Sequence, residues 1–222
     1  MLYDYPTIIV DDFFKYPLDV RELAMSMKYV TSDIGTYSGK RTESLHINHT
    51  NFFRGVCNKI LDCYSISCID YSATMSFHLT GGEFGNSGWV HTDGGRDGGS
   101  LLASIIYLNL DNNNIVNGTS IFKLNNLDHG HDTISAMKKS FINAVDDKEA
   151  KQKHNLDYSP TVNVGNMFNR MVAYDARNPH AGSGYYGQDN NTSRLTLLTF
   201  FESIKTLDGL TTLQRTNRYS DI

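Results

Sequence analysis

The run Gly88-Trp89-Val90-His91-Thr92-Asp93-Gly94-Gly95 sets an imidazole and a carboxylate two residues apart, shortly before Ser100-Leu101-Leu102-Ala103-Ser104-Ile105-Ile106-Tyr107-Leu108-Asn109-Leu110. On an extended segment the side chains at i and i+2 leave the same face, so His91 and Asp93 point together. The apolar run that follows is short and is closed by Asp111-Asn112-Asn113-Asn114. It reads as a strand buried on both faces and ended by a turn. A His-x-Asp among eight histidines is by itself an ordinary solvated loop, and its weight comes from its surroundings.

Working outward, Asn117-Gly118-Thr119-Ser120-Ile121-Phe122 reads as a second strand entered through glycine, and Phe168 to Tyr174 as a third. Asp175-Ala176-Arg177-Asn178-Pro179-His180 then carries another imidazole just past a strand end, and Arg194-Leu195-Thr196-Leu197-Leu198-Thr199-Phe200-Phe201 forms the last strand. His91, Asp93 and a distant imidazole make the two-His-one-carboxylate set that holds Fe(II) on one side and leaves its other positions open.

Tyr5 to Val10 reads as a strand, and Pro17 to Met27 as an amphipathic helix with Val20, Leu23, Ala24 and Met27 on one face. A flexible Ser-, Gly- and Thr-rich stretch from Thr31 to Glu43 precedes a second helix, about Asn51 to Tyr64, striped by Phe53, Val56, Cys57, Ile60 and Leu61. Between Lys123 and Thr161 lies an insertion, with Ile134, Met137, Phe141 and Val145 on a helical face. Its solvated side is the cluster Lys138, Lys139, Asp146, Asp147, Lys148 and Glu149. Strands with segregated helices and no βαβ alternation imply a mainly β fold with packing helices, a double-stranded β-helix or jelly roll. The expectation is a single domain over 1–222. It has an N-terminal strand and helices in 1–70, a jelly-roll core in 71–202 with a helical insertion at about 125–160, and a C-terminal segment in 203–222.

A chain of 222 residues can bury a substantial core in one such domain. Its net charge of −4, with scattered basic residues, gives no strong nucleic-acid or anionic-membrane signal. Met1 to Asp12 contains Asp4, Asp11 and Asp12 instead of a basic start and an apolar core, and no long apolar run follows, so a cytoplasmic location is expected. Cys57, Cys63 and Cys68 are odd in number and lack Cys-x-x-Cys spacing, which fits reduced thiols. Nothing in the sequence sets the oligomeric state.

From Ser72 to Glu202 the chain resembles the Fe(II)- and 2-oxoglutarate-dependent oxygenases, in their prolyl-hydroxylase-like branch. The resemblance lies in His91-Thr92-Asp93, Tyr107-Leu108-Asn109, Gly118-Thr119, Asn178-Pro179-His180 and Arg194-x-Thr196. Where that family often has two glycines, this chain has Asn117-Gly118, a departure in backbone geometry. The resemblance implies that His91, Asp93 and His180 are catalytic Fe(II) ligands, that 2-oxoglutarate and O2 are cosubstrates, and that an unactivated C–H is hydroxylated with release of succinate and CO2. Arg194 would pair with the distal carboxylate of 2-oxoglutarate, because a guanidinium offers an always-charged bidentate fork. Thr196, on the same face, and Tyr107 would add hydrogen bonds. Asp93 argues against a halogenase, which lacks that carboxylate.

Two alternatives share the barrel. A cupin-like metal enzyme calls for His-x-His with a nearby Glu, against which Asp93 and Arg194 speak; a catalytically inactive jelly-roll binding protein would consume no 2-oxoglutarate. Gly182-Ser183-Gly184-Tyr185-Tyr186-Gly187 spells a dinucleotide-binding motif, but no strand leads directly into it and no helix follows, so it reads as a flexible loop over the site. His129-Gly130-His131, between Asp128 and Asp132, reads as a helix entrance. Tyr37 to Arg41, Asn86 to Trp89 and Ser183 to Asn191 should frame the mouth. That polar and aromatic rim fits an amino acid, a peptidyl residue or another small polar molecule.

Overall fold

In a computed structural model, residues 5–31, 37–85, 87–95, 98–110, 115–125 and 148–206 are described. The expected insertion face at Ile134, Met137, Phe141 and Val145, most of its charge cluster, the His129-Gly130-His131 run, Asn86 and the end of the C-terminal segment lie outside the described residues.

Twelve strands are described: β1 Ile8–Val10, β2 Tyr29–Thr31, β3 Lys40–Thr42, β4 Cys68–Thr80, β5 Gly94–Gly95, β6 Gly98–Gly99, β7 Leu102–Tyr107, β8 Thr119–Leu124, β9 Tyr158–Val164, β10 Met171–Asp175, β11 His180–Gly182 and β12 Arg194–Thr206. Four helices accompany them: α1 Pro17–Ser26, α2 Leu45–Asn48, α3 Thr50–Cys63 and α4 Lys148–Asn155. The major sheet runs β1-β10-β7-β12-β4-β3-β2 and the minor sheet β11-β8-β9, with antiparallel pairing throughout. A bridge between His91 and His180 adds the segment before β5 to the minor sheet beside β11. Two antiparallel sheets facing each other make the jelly roll that the strand pattern predicts.

Period-two alternation decides what each face buries. One face of the major sheet, carrying Met75, Phe77, Leu79, Leu102, Ile106, Leu195, Leu197 and Phe201, shares a core with Val20 and Ala24 of α1 and Phe53, Val56, Ile60 and Leu61 of α3. Each fully buried side chain of this kind contributes roughly 1.5–3 kcal/mol. The alternate residues Ala103, Tyr107, Val172 and Tyr174 turn inward against Ile121 and Val164 of the minor sheet. α1 starts with Pro17 in its first turn, where the missing N–H costs nothing.

Three expectations need correction. The stretch Thr31 to Glu43 is not wholly irregular, because Lys40–Thr42 pairs with both β2 and β4 and widens the major sheet. Gly39 enters that strand at a φ of 86°, pressed against the Leu79 carbonyl, where only glycine fits. The insertion ends before 160, since Tyr158–Val164 is a core strand of the minor sheet. The N-terminal region is also more than packing, for β1 pairs with β10 and β3 with β4.

Candidate metal centre

His91 and His180 face each other across the antiparallel bridge. The His91 amide donates to the His180 carbonyl at 3.0 Å, and the His180 amide to the His91 carbonyl at 2.8 Å. Their ring centroids lie 4.4 Å apart. In each ring Nδ1 sits on the carbonyl two residues earlier, that of Trp89 at 2.8 Å and that of Asn178 at 2.9 Å. A carbonyl only accepts, so Nδ1 carries a proton in both rings, and Nε2 is the nitrogen left to coordinate a metal in the neutral ring. Both Nε2 atoms lie near Asp93, whose Oδ1 is 3.6 Å from His91 Nε2 and whose Oδ2 is 3.1 Å from His180 Nε2. One ligand atom from each of the three residues lies within 4.8 Å of the other two. The His180 side chain is 6% exposed and that of His91 35%, so the cluster opens on the His91 side.

The backbone around these residues is fixed closely. The amides of Asp93 and Gly94 both donate to the Ala176 carbonyl, at 2.9 and 3.0 Å, which ties the loop after His91 to the end of β10. A Cβ at Gly94 would collide with the Ser100 carbonyl, so this turn requires glycine. On its other side the His91 segment is held by α4 side chains. The Asn155 side chain accepts from the Val90 amide at 3.0 Å and donates to the Gly88 carbonyl at 2.9 Å, and His154 Nε2 lies 2.7 Å from the Val90 carbonyl. Lys151 Nζ donates to the carbonyls of Phe84 and Ser87. The sequence reading missed this helix end as part of the site, because side-chain-to-backbone pairing across some sixty residues leaves no local pattern.

Arg194, Thr196 and Tyr107 come together inside the barrel. Thr196 pairs directly with Tyr107 across β12 and β7, and Arg194 precedes it on the same face. The Arg194 guanidinium donates to the carbonyls of Asn117 and Gly118, both at 3.2 Å, and to Thr119 Oγ1 at 3.4 Å. It lies 5.4 Å from the centre of the Tyr107 ring. No carboxylate pairs with it among the described residues, and it is only 4% exposed. Tyr107 donates its hydroxyl to Thr119 Oγ1 at 2.8 Å, so Thr119, which the sequence marks with Gly118 as part of the resemblance but gives no role, joins the cluster. Thr196 Oγ1 is buried with no hydrogen-bond partner among the described residues. Burial raises the Tyr107 hydroxyl above its ordinary pKa, with the Arg194 charge opposing.

The two groups share one compartment. The Tyr174 ring lies 4.7 Å from that of His180, and burial, reinforced by the charge of Asp93, holds its phenol protonated. Gly182 of β11 pairs with Thr119 of β8, the residue that meets Arg194. The sequence places Arg41 on the rim of the mouth, and reads His78, on a strand, equally as a core or mouth residue and as a substrate contact. Both project inward from neighbouring strands, Arg41 opposite His78 and His78 opposite Thr196. Burial first, then the charges of Arg41 and Arg194, push the His78 imidazole down to about 3. Its Nε2 donates to the Ser38 carbonyl at 2.6 Å.

The Gly182–Gly187 motif does leave a short strand, contrary to expectation, but no helix follows. Nor is it loose. The Gly82 amide donates to the Gly187 carbonyl and the Tyr185 amide to the Gly85 carbonyl, while Asp189 and Thr192 bond one another in the turn. The cysteines are unpaired, Cys57 buried and Cys63 and Cys68 half-buried. No helix among the described residues is long and apolar enough to cross a membrane.

Three solved structures of similar shape illustrate the fold. HygX from Streptomyces hygroscopicus, determined with nickel and 2-oxoglutarate bound, superposes with a TM-score of 0.53 at 10% identity, over 96% of this chain and 91% of its own. A prolyl-4-hydroxylase from Pseudomonas putida gives 0.52 at 13% identity over 89% and 92%. The α-ketoglutarate-dependent carbocyclase SnoK from nogalamycin biosynthesis gives 0.52 at 9% over 99% and 87%. At such identities the likeness is one of fold. No curated protein sequence matches the chain. Residues 3–201, nearly all of the chain, match the family described as a family of unknown function (DUF6445), and the protein belongs to it.

Proposed function

We propose that this protein is an Fe(II)- and 2-oxoglutarate-dependent dioxygenase that hydroxylates an unactivated C–H bond of a small polar or peptidyl substrate, releasing succinate and CO2. The observation that carries the reading is the His91, Asp93 and His180 cluster, with both Nδ1 atoms on carbonyls and both Nε2 atoms gathered with one carboxylate within 4.8 Å. Two neutral nitrogens and one carboxylate suit a divalent first-row metal and leave room for other ligands. A second observation supports the cosubstrate: a buried arginine without a carboxylate beside the unpartnered hydroxyl of Thr196 fits an anion better than an empty core. HygX, of the same fold, binds nickel and 2-oxoglutarate.

Iron bound there would supply the activation of O2 coupled to oxidative decarboxylation of 2-oxoglutarate. The chain's own residues do the rest. The Trp89 and Asn178 carbonyls hold the two imidazoles in one tautomer and orientation. Asp93 supplies the negative charge that favours a divalent ion over water. Arg194 and Thr196 would take the distal carboxylate, with Tyr107 and Thr119 fixing the guanidinium from behind. Tyr174 fills the space against His180 and keeps bulk water from that side.

Anaerobic addition of Fe(II) and 2-oxoglutarate to the apoprotein should produce a weak visible charge-transfer band, and admitting O2 should release succinate. A metal-loaded protein with neither band nor succinate overturns the reading and leaves a jelly-roll binding protein.

A further inference from the structure

The row of inward side chains across the major sheet does not stop at the cosubstrate residues. Tyr107 faces Thr196, Thr196 faces His78, and His78 faces Arg41, on β7, β12, β4 and β3 in turn. Strands lie about 4.8 Å apart, so the backbones of Arg41 and Thr196 stand roughly 10 Å apart across one interior face. Arg194 is turned the other way, onto the Asn117 and Gly118 carbonyls near the minor sheet. The barrel thus holds two guanidinium groups at separate places.

Among the described residues, Arg41 has no carboxylate partner suited to its charge. Its Cζ lies 4.1 Å from the centre of the Tyr37 ring and 5.8 Å from that of Phe200. Its Nε is buried with no hydrogen bond, and no carboxylate forms an ion pair with it among the described residues. Stacking on aromatic faces attracts the cation but leaves the Nε donor unused. Desolvation therefore weakens its hold on the proton, and the nearby Asp93 carboxylate only partly restores it. A half-buried guanidinium, stacked and with no acceptor on Nε, is preorganised for an anion that arrives with a ligand.

Resting on the oxygenase reading above, we propose that Arg41 receives the carboxylate of the substrate, so that the substrate is a small free carboxylic acid and not an internal residue of a peptide chain. The planar fork matches a carboxylate in two parallel hydrogen bonds. With the Asp93 charge answered by the metal that the cluster would hold, a single guanidinium balances one added charge and not the two of a phosphate dianion. The Tyr37 ring, fixed against the guanidinium, would set the plane in which that carboxylate lies.

The test uses the full chain with Zn(II) in place of iron and with 2-oxoglutarate, so that nothing turns over. Binding is measured by calorimetry for the proteinogenic L-amino acids, short aliphatic and aromatic monocarboxylic acids, the carboxamide of each, and inorganic phosphate. At least one acid should bind, with its amide weaker by at least about thirtyfold, the scale of losing one partner of a desolvated charge pair. Arg41→Met keeps an unbranched stem out to about the position of Nε and removes the guanidinium; it should lose that acid to the same extent while holding 2-oxoglutarate within about twofold of the parent. Removing a charge that no carboxylate pairs with among the described residues should leave the fold intact. If it does not, Arg41→Lys, which keeps charge without the fork, is measured in its place and should also weaken the acid. The proposal is overturned if no acid binds, if amides or phosphate bind as well as acids, or if the variant keeps the acid. It is equally overturned if the variant loses 2-oxoglutarate in parallel, which would put Arg41 in the cosubstrate site. Acid binding through Arg41 in a parent that takes up neither Zn(II) nor 2-oxoglutarate would instead sink the oxygenase reading and leave the acid site standing.

Discussion

Strands β4, β7 and β12 present two faces of opposite chemistry. Outward, Met75, Phe77, Leu79, Leu102, Ile106, Leu195, Leu197 and Phe201 lie under α1 and α3 in a continuous apolar core. Inward, the same strands carry His78, Thr80, Tyr107, Arg194 and Thr196, all buried. Thr196 Oγ1 has no hydrogen-bond partner among the described residues, and neither does Nε of Arg41, two strands away; on the outer face the hydroxyls of Ser104 and Thr199 are likewise unpartnered. Burying a polar group without a partner destabilises a fold, whereas burying a phenylalanine stabilises it. The outer face therefore holds the barrel together through apolar burial, and the inner face concentrates the ionisable groups. Substitutions on the two faces should separate stability from binding.

The largest effect belongs to the metal cluster. His91→Ala, Asp93→Ala and His180→Ala should each weaken Fe(II) uptake beyond the roughly 10–100-fold that loss of an outer-shell partner costs, with an unchanged circular dichroism spectrum. Any one that keeps the parent's metal affinity is not a ligand. Phe77→Ala, on the outer face, should do the opposite. Phe77 is wholly buried and stacks on Phe52 with centroids 6.4 Å apart. Its truncation should cost about 3–5 kcal/mol in urea unfolding, and 2-oxoglutarate affinity in the folded protein should stay near that of the parent. A large loss of affinity there would mean that the two faces are not independent.

Next comes Arg194→Ala, which removes the cation proposed to face the distal carboxylate and should weaken 2-oxoglutarate by about 2–4 kcal/mol, with metal binding kept. Calorimetry showing parent-like affinity would move the anchor elsewhere. His78 gives a pH dependence to the same face. The unfolded chain binds a proton there below about 6.5, but the folded protein only below about 3. Stability is therefore intact above the upper value and is lost as pH falls through that window, by up to about 1.4 kcal/mol per pH unit. His78→Gln should flatten this acid limb in thermal melts, and an unchanged slope would show that His78 titrates normally.

How much of this was legible follows the same division. The His91-x-Asp93 pair, His180 past a strand end and Arg194-x-Thr196 were visible because each lies in a short window with period two, and the apolar strands β7 and β12 announced themselves. β9 did not, since Tyr158-Ser159-Pro160-Thr161 contains a proline. It is accommodated because β9 is an edge strand and Pro160 stands opposite Phe122, where the register shifts. Arg41 was placed on the rim and not inside, because its strand is three residues long and its neighbour His78 is distant in sequence. Cross-strand register, which no single-strand pattern encodes, is what aligns Arg41, His78, Thr196 and Tyr107.

The smallest effect is also the one in which the two properties should move in opposite directions. Thr196 is fully buried near the start of β12, and its hydroxyl has no hydrogen-bond partner among the described residues. Valine has nearly the same shape and suits a strand. Replacing an unsatisfied buried hydroxyl by a methyl group removes a desolvation cost, so Thr196→Val should raise the stability of the ligand-free protein by about 1 kcal/mol. If the hydroxyl serves the distal carboxylate, the same change should weaken 2-oxoglutarate by about 1 kcal/mol. Urea unfolding of the apoprotein and calorimetry of the metal-loaded protein measure the two separately. A gain in stability with no loss of affinity would make Thr196 a bystander beside Arg194, and a loss of both would mean that the hydroxyl serves the fold.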